Sequence, residues 1–362
     1  MIDSDLPYDQ SNKYKLILSV EKYFVIQDYY VTDFDGLESR IDKSSFTKEN
    51  FVKMKNDIKP LGYIPILHVS NNEYWILIKP INIKNTFRIQ IPLILFILVI
   101  ITVSIDGWYR SIEFGVTNPF SSTLLYVAGL LGIIGIHELG HKIAAHKHNM
   151  YSSLPYFIPG IPVIALPTFG ALIISKEPLV NRDALFDLGI SGPIAGLLVT
   201  IIVAVQGAST SKFIPNSQAE SLINNGNLIE LQSSPLMSWI FDFINPGSPD
   251  TTLILSPLAF AAWLGFFITF LNLIPAAQLD GGHIARATLG IQFHRLASYV
   301  SIGLLIFLGY FPMAFIILFM MMRTADIKPL DDKSSLSQGR KLLFIIILIL
   351  AVLCSPIPIS LL

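Results

Sequence analysis

The hydrophobic pattern of this chain of 362 residues changes near residue 88. Residues 1–88 carry much of the charge in short amphipathic stretches, and they contain no apolar run long enough to cross a bilayer. Residues 89–362 consist of long apolar runs separated by charged residues, glycine and proline. We therefore expect a small soluble α+β domain at 1–88, followed by a membrane-embedded domain at 89–362 that is mainly α-helical.

The first domain alternates helical and extended patterns. Thr47 can cap a helix whose apolar positions repeat with helical spacing, and Pro60 ends it. Asn71 and Asn72 separate two β-rich stretches, which predicts a hairpin. His68 has no chemical partner in the pattern, so we interpret it as structural. The predicted elements are helices at Asn12–Tyr23 and 47–58 and strands at Phe24–Val31, Tyr63–Val69 and Tyr74–Lys79.

The second domain is predicted to be a polytopic membrane helix bundle of about 6–7 spans or half-spans. Lys79, Lys84 and Arg88 precede its first apolar run, which predicts a cytoplasmic N-terminal domain because cytoplasmic loops are enriched in basic residues. The stretches 106–121 and 207–250 contain few basic residues, so we expect outer loops there. The predicted spans are Ile89–Ile105, a run from Ser122, Leu185–Val205, Thr252–Ile274, a helical hairpin at 293–322, and Leu342–Ser355.

Residues 151–181 are apolar but contain four prolines at a spacing that a spanning helix does not tolerate, namely Pro155, Pro159, Pro162 and Pro167. Non-helical backbone at membrane depth requires a protein-lined environment, so we expect a re-entrant loop with Thr168–Ile174 extended. Such an extended segment is a candidate docking edge for an unwound substrate. The alternative is an interfacial loop packed on the cytoplasmic face.

Composition agrees with a membrane protein and excludes several other classes. The mean hydropathy is +0.59, with 52 % hydrophobic and 14 % charged residues, which is typical of polytopic membrane proteins. A net charge of −1 gives no basic surface for nucleic acid. Cys354 is the single cysteine, so any metal ligands must be His, Asp or Glu. The acidic N-terminus lacks the apolar core of a signal peptide.

The principal chemical motif is HELGH at residues 137–141, within an otherwise apolar run. On an α-helix His137 and His141 lie one turn apart on the same face, so both imidazoles can reach one metal ion. Zn²⁺ held in this way activates a water molecule, and Glu138 can accept its proton during attack on a carbonyl group. The alternative is a pair of interfacial histidines with Glu138 at a helix end.

A second chemical element follows Pro275, where the sequence reads LDGG. Asp280 is predicted to lie in a turn, and a carboxylate at membrane depth is costly without a partner, which makes it the candidate third ligand. Asn272 lies one turn before the break and can hydrogen-bond to a substrate or an oxyanion. We place the catalytic core at about residues 122–290. Other residues are weaker candidate ligands, namely Asp183 and Asp187, interpreted as solvated helix-terminal charges, and His146 and His148, interpreted as interfacial.

Four motifs occur in one order along the chain. They are HELGH at 137–141, PTFGALI at 167–173, NRDALFDLGISGPIAG at 181–196 and NLIPAAQLDGGH at 272–283. Together they resemble the site-2 protease family of intramembrane zinc metalloproteases, and the version is similar to its archaeal and plastid EGY-like branch. The resemblance covers roughly residues 60–325 and implies one Zn²⁺ per chain, held by His137, His141 and Asp280, with Glu138 as general base.

The resemblance also implies a substrate and a location. Phe169 and Gly170 would lie in a re-entrant β-like loop, and Asn272 would lie near the substrate. Members of that family cleave a transmembrane helix of another protein inside or near the lipid bilayer. Ala276 and Ala277 depart from the turn residues that many members carry, which concerns the local loop shape. The short acidic start, without a transit peptide, favours a prokaryotic cell membrane.

Three other functions fit parts of this pattern. A catalytically inactive membrane scaffold of the same fold is the main alternative to a protease. A membrane metalloprotease with a glutamate as third ligand is disfavoured, because Glu220 and Glu230 are the only glutamates after residue 180 and both fall in a predicted outer loop. A metal transporter would need ligands repeated over several spans, whereas the candidates here occupy two.

Overall fold

The computed structural model describes residues 8–32, 36–81, 89–164, 166–175, 177–226, 228–323 and 326–356. The basic residues Lys84 and Arg88, which entered the prediction of orientation, lie outside the described residues. The described chain is mainly helical, with a small N-terminal sheet, which confirms the predicted fold class.

The N-terminal domain is a four-stranded antiparallel sheet with strand order β1-β2-β4-β3, covered by two helices. The side chain of Thr47 accepts a hydrogen bond from the Asn50 amide, which confirms the predicted helix cap. Asn71 and Asn72 have φ values of 50° and 65°, as a two-residue hairpin turn requires. The strand β2 was not predicted. The elements are α1 (Tyr8–Glu21), β1 (Ile26–Val31), β2 (Leu37–Ile41), α2 (Lys48–Ile58), β3 (Tyr63–Ser70) and β4 (Glu73–Pro80).

The remaining chain contains 4 helices that are long and apolar enough to cross a membrane, among the residues that the structure describes. They are α3 (Gln90–Glu113), α4 (Pro119–Lys147), α5 (Arg182–Thr210) and α9 (Asp280–Phe307). The shorter helices are α6 (Asn216–Asn224), α7 (Pro235–Ile244), α8 (Pro257–Leu273), α10 (Phe311–Arg323) and α11 (Gln338–Cys354). The strands are β5 (Tyr156–Pro159), β6 (Thr168–Leu172), β7 (Lys212–Pro215) and β8 (Thr251–Ile254).

The structure corrects several predicted boundaries. The predicted outer loop at 106–121 is wrong for most of its length, because α3 continues to Glu113 and α4 begins at Pro119. Helix α3 continues because Asp106 pairs with Arg110 one turn later, at 2.7 Å, so the charges satisfy each other within the helix. The predicted outer loop at 207–250 contains β7, α6 and α7. The predicted hairpin at 293–322 is confirmed as two helical arms. Helix α9 is broken at Gly290, where φ is 79°, so the part of α9 after Gly290 forms the first arm and α10 forms the second.

The proline-rich segment folds into an antiparallel pair of strands, β5 and β6, which together with their turn we call the re-entrant hairpin. This confirms the expected extended backbone of β6. The hairpin lies along α3, where the Phe157 ring packs on Phe96 at 4.9 Å and Thr102 donates a hydrogen bond to the Pro167 carbonyl at 2.8 Å. Contact with α3 over this length favours the re-entrant interpretation over an interfacial loop.

The N-terminal sheet is continuous with the base of the helix bundle. The Leu67 amide, on the edge strand β3, donates to the Leu330 carbonyl at 2.9 Å. The Leu330 and Asp331 amides in turn donate to the carbonyls of Leu179 and Val180 at 2.8 and 2.9 Å, just before α5 begins. The edge strand β3 therefore satisfies its backbone groups on the segment around Leu330. These backbone hydrogen bonds attach the N-terminal domain to the helix bundle.

Candidate metal centre

The two histidines of the HELGH motif face the same point from successive turns of α4. Their Nε2 atoms lie 3.1 Å apart. Asp280, the first residue of α9, places Oδ2 at 3.2 Å from His137 Nε2 and Oδ1 at 3.3 Å from His141 Nε2. Among the described residues, His137, His141 and Asp280 form the cluster of potential metal ligands, with ligand atoms all within 4.8 Å of one another. The sequence prediction of this ligand set therefore agrees with the geometry.

The donor atoms fit a tetrahedral zinc site. Zinc binds imidazole nitrogen and carboxylate oxygen at about 2.0–2.2 Å, which separates neighbouring ligand atoms by about 3.3 Å. His141 Nδ1 donates to the Leu188 carbonyl at 2.8 Å, and this bond leaves Nε2 as the nitrogen with a free lone pair. A zinc ion between the two Nε2 atoms and the carboxylate would be held by all three groups, so the residues present fit this metal.

Helix α5 makes room for the histidines by presenting glycines to them. A Cβ atom at Gly192 would lie 2.2 Å from His141 Nε2, and one at Gly196 would lie 3.1 Å from the His137 Cβ. Gly140, on the histidine helix itself, would place a Cβ at 2.4 Å from the Ser191 carbonyl oxygen. The two helices thus approach at backbone distance, and the imidazoles occupy the space that side chains on α5 would fill.

The sequence analysis missed Gly192 and Gly196 as residues of the site. The signal that could have identified them is their four-residue spacing within SGPIAG, which puts both on one face of a helix. Leu188 was also not predicted, because it contacts His141 through its backbone carbonyl, and every residue type has that group. These positions hold the histidines in place rather than contribute ligands.

Asp280 was predicted to lie in a turn opened by glycines, and this prediction is wrong in its local structure. Asp280 is the first residue of helix α9 and directly follows the loop that begins at Ile274, where α8 ends. A Cβ at Gly281 would lie 2.2 Å from the Leu273 carbonyl oxygen, and one at Gly282 would lie 2.4 Å from that of Ala277. The glycines therefore allow the start of α9 to pack directly against the preceding loop.

The loop before Asp280 contains a residue in an unfavourable conformation. Ala277 has a φ of 48°, in the left-handed region that favours glycine, at the position where the sequence departs from the related family. Two contacts fix its backbone: the Ala277 amide donates a hydrogen bond to Ser298 Oγ at 3.0 Å, and the Ala277 carbonyl lies 3.1 Å from His294 Nε2. Contacts to α9 hold the loop shape that places Asp280.

Glu138 and Asn272 both lie at the metal centre. Glu138 is 5 % exposed and follows His137 directly in α4. The Asn272 Nδ2 atom lies 3.5 Å from His137 Nε2, a distance too long for a strong hydrogen bond. A carboxylate can accept a proton and an amide can donate a hydrogen bond, so the predicted roles of Glu138 and Asn272 stay predictions.

Phe169 and Gly170 lie on β6 of the re-entrant hairpin. The Phe169 side chain is 57 % exposed, and Gly170 has a φ of 89° with open space where a Cβ would lie. Neither residue hydrogen-bonds to a candidate metal ligand. Strand β6 pairs with β5 along one edge, and its other edge has no strand partner among the described residues.

The rival ligands are held elsewhere, in ion pairs. Asp187 accepts from Arg340 Nε at 2.7 Å and lies 3.0 Å from His148 Nε2. Asp183 lies 3.0 Å from Lys48 Nζ, on the N-terminal domain. Our interpretation of both aspartates as solvated was wrong, since their side chains are only 19 % and 16 % exposed. His146 is exposed, and His68 stacks on Trp75 and lies 3.2 Å from Glu38 Oε1, consistent with a structural role.

Comparison with known proteins agrees with this geometry. The model of peptidase family M50 matches residues 125–315, which include every candidate ligand. The chain is 32 % identical over 247 residues to "Probable zinc metalloprotease EGY1, chloroplastic" of Arabidopsis thaliana, covering 65 % of this chain and 43 % of the relative. It is 27 % identical over 262 residues to "Probable zinc metalloprotease EGY2, chloroplastic" of Oryza sativa subsp. indica, covering 64 % and 46 %.

A further relative is "Probable zinc metalloprotease EGY2, chloroplastic" of Arabidopsis thaliana, at 28 % identity over 234 residues, which are 62 % of this chain and 40 % of the relative. The chain therefore spans less than half the length of these relatives. No solved structure matches it significantly.

Proposed function

This chain belongs to peptidase family M50, the site-2 protease family, and we propose that it hydrolyses a peptide bond within or near a transmembrane segment of a membrane-protein substrate. Family membership makes it a multi-pass membrane metalloprotease, and zinc is the metal of that family. The observation that carries the proposal is the convergence of His137 and His141, from the membrane-spanning helix α4, with Asp280 at the start of α9.

We assign the following roles. His137, His141 and Asp280 would hold one zinc ion, which when bound would supply Lewis acidity at the site. Glu138 accepts a proton from the attacking water and delivers it to the departing amide nitrogen. Asn272 donates a hydrogen bond to the carbonyl oxygen as negative charge develops there. The support for these roles is burial of Glu138 beside the ligands and the position of Asn272 next to His137.

We further propose that the substrate binds as an added strand on β6, with Phe169 and Gly170 in contact with it. A transmembrane helix hides its peptide bonds in its own hydrogen bonds, so the substrate must unwind and its backbone groups need new partners. The free edge of β6 offers such partners, and the exposed Phe169 ring offers an apolar contact. Substrates with glycine, proline or asparagine near the cut should unwind most easily.

The zinc and cleavage test compares the wild type with Glu138→Gln and Asp280→Asn, using a model transmembrane substrate. Glu138→Gln should retain zinc and lose cleavage by about 10²–10⁴-fold, because it removes only the proton acceptor. Asp280→Asn should lose zinc and cleavage together, because a ligand is gone. Retention of both by Asp280→Asn would move the third ligand elsewhere. A wild type that binds no zinc would favour the inactive scaffold instead.

We propose that the N-terminal domain, which we place at residues 1–88, is cytoplasmic and that the chain lies in a prokaryotic cell membrane; the named relatives are chloroplastic. The basic residues before α3 support the orientation. The orientation can be tested in a Cys354→Ala background, which contains no cysteine because Cys354 is the only one in the sequence. A cysteine at exposed Lys53 should react with an impermeant maleimide only from the inner face, and one at exposed Glu220 only from the outer face. The reverse result would invert the orientation.

A further inference from the structure

Asp106 is a buried carboxylate of the membrane domain that lies outside the metal centre. Asp106 is in α3, whose sequence is otherwise almost entirely apolar, and it is 0 % exposed. An acidic group at membrane depth costs about 2.5–3.5 kcal/mol on insertion scales, so it persists where it has partners and a role. None of the roles proposed above uses this side chain.

The Asp106 carboxylate joins three parts of the fold. Its Oδ2 atom accepts hydrogen bonds from Arg110 Nε at 2.7 Å and from the Tyr126 hydroxyl of α4 at 2.6 Å. Its Oδ1 atom accepts from the backbone amide of Val163, in the turn of the re-entrant hairpin, at 2.9 Å. The Arg110 guanidinium in turn lies over the Phe260 ring of α8, 3.5 Å from its centroid. Arg110 balances the charge of the carboxylate at Oδ2, and Oδ1 binds the hairpin turn.

The residue that Asp106 holds is in a strained conformation. Val163 has a φ of 69°, and a β-branched residue in the left-handed region is a rare outlier. Strain of this kind persists only where the surrounding structure imposes it. The turn is also tightly folded, since a Cβ at Gly160 would lie 2.0 Å from the Leu166 carbonyl oxygen. The bond from Asp106 therefore selects one conformation of the turn.

A second contact from α3 reaches the start of β6. Thr102 lies one helical turn before Asp106, and its hydroxyl donates to the carbonyl of Pro167, the residue that precedes β6. Both contacts come from α3, and the edge of β6 away from β5 has no strand partner among the residues that the structure describes. Movement of the hairpin turn would therefore change where that edge lies relative to the HELGH helix.

We propose that Asp106 is a positioning residue for the substrate: by holding the turn of the re-entrant hairpin, it fixes the place at which β6 presents an unwound substrate to the metal centre. This inference rests on the proposed function of β6. Reaction rates depend steeply on the placement of the reacting bond. Loss of the Asp106 contact should thus weaken substrate binding and spread the cleavage over neighbouring peptide bonds, with zinc binding intact.

The test compares Asp106→Asn with Glu113→Gln, which removes an exposed charge from the same helix. Asp106→Asn keeps the side-chain shape, but its amide oxygen turns toward the donors of Arg110 and Tyr126, so its NH2 group faces the Val163 amide and the bond to the hairpin turn is lost. We expect Asp106→Asn to raise KM about tenfold and to produce several cleavage products, with unchanged zinc content. Glu113→Gln should match the wild type. Unchanged KM and a single cleavage site in Asp106→Asn would overturn the proposal.

A readout independent of activity uses a spin label at Ile164, which is 87 % exposed in the same turn, in the Cys354→Ala background. Asp106→Asn should make this label more mobile, and Glu113→Gln should not. If Asp106→Asn fails to fold, Thr102→Val removes only the neighbouring hydroxyl contact and should shift cleavage in the same direction. An inactive wild type would refute the proposed function, whereas an equally immobile label in Asp106→Asn would refute the role of Asp106.

Discussion

The metal centre and the re-entrant hairpin are both parts of the membrane domain, yet different kinds of contact hold them. At the metal centre, His137 and His141 come together through helix periodicity, and glycines of α5 lie against them at backbone distance. The hairpin has little regular structure of its own, and buried charged groups hold its two ends. The histidine pair is set by one helix and is closely packed against α5, whereas the hairpin is held by polar contacts from residues outside its own strands.

The base of the hairpin also shows polar contacts from residues outside its strands. Glu177, 6 % exposed, lies between β6 and α5 with Oε2 at 2.8 Å from Lys59 Nζ and 3.9 Å from Lys55 Nζ. Both lysines come from the N-terminal domain, and both also donate to the Asn149 carbonyl at the end of α4. Burial lowers the pKa of Lys55, Lys59 lowers it further, and Glu177 raises it. The N-terminal domain thus holds both ends of the segment that contains the hairpin.

The largest effect should come from filling the close-packed space at the metal centre. Gly192→Ala adds a methyl group 2.2 Å from His141 Nε2, so the imidazole must move from its ligand position. We expect zinc affinity and cleavage to fall about 100-fold, as for displaced metal ligands. Metal content after dialysis against a graded chelator measures this directly.

Gly135→Ala is the matched control for that change, because it lies on α4 with nothing within 4 Å of the added Cβ. Alanine is a better helix former than glycine, so this variant should be as active as the wild type and slightly more stable. Equal zinc affinity in Gly192→Ala and Gly135→Ala would show that close packing against α5 does not hold His141. The metal centre would then not differ from the hairpin in the way its residues are held.

An effect of similar size, on stability rather than on zinc, should follow from removing the charge at the base of the hairpin. Glu177→Gln leaves Lys55 buried without its carboxylate, and breaking a buried ion pair from one side costs about 3 kcal/mol. The melting temperature of the purified protein should fall, while zinc content stays the same. Asp57→Asn removes the partner of Lys22 at the surface, where both side chains are well exposed, and should have a much smaller effect. Equal melting temperatures in the two variants would contradict this prediction.

The sequence predicts the metal centre better than the hairpin for the same physical reason. His137, Glu138 and His141 are specified by one turn of helix, and a lone Asp280 in an apolar region needs a partner, so both could be recognised without a structure. Asp106 could not, because its partner is the backbone amide of Val163, 57 residues away. The sequence analysis instead placed Asp106 at the start of an outer loop, because the stretch 106–121 contains few basic residues.

Strand β2 was missed for a related reason. In its sequence LESRI, buried Leu37, Ser39 and Ile41 alternate with half-buried Glu38 and Arg40, but the strand is only five residues long and its central buried residue is polar. Such a short segment forms a strand because β1 and β4 pair with it on both sides, and this pairing is tertiary information. The two-residue turn at Asn71 and Asn72, by contrast, is encoded locally and was predicted.

The smallest effect should come from the loop that carries Asp280 toward the histidines, where local preference and tertiary contacts disagree. Ala277→Gly relieves the left-handed φ of 48° but makes the unfolded chain more flexible, so we expect a net gain of about 0.5 kcal/mol with unchanged zinc content. Ala276→Gly, at the neighbouring buried residue outside that region, gains nothing from relief of strain and should be destabilising by about 1 kcal/mol. Thermal unfolding of the two variants measures the difference. If both were destabilised equally, the conformation of Ala277 would carry no strain, and contacts from Ser298 and His294 would alone account for the loop that positions the third ligand.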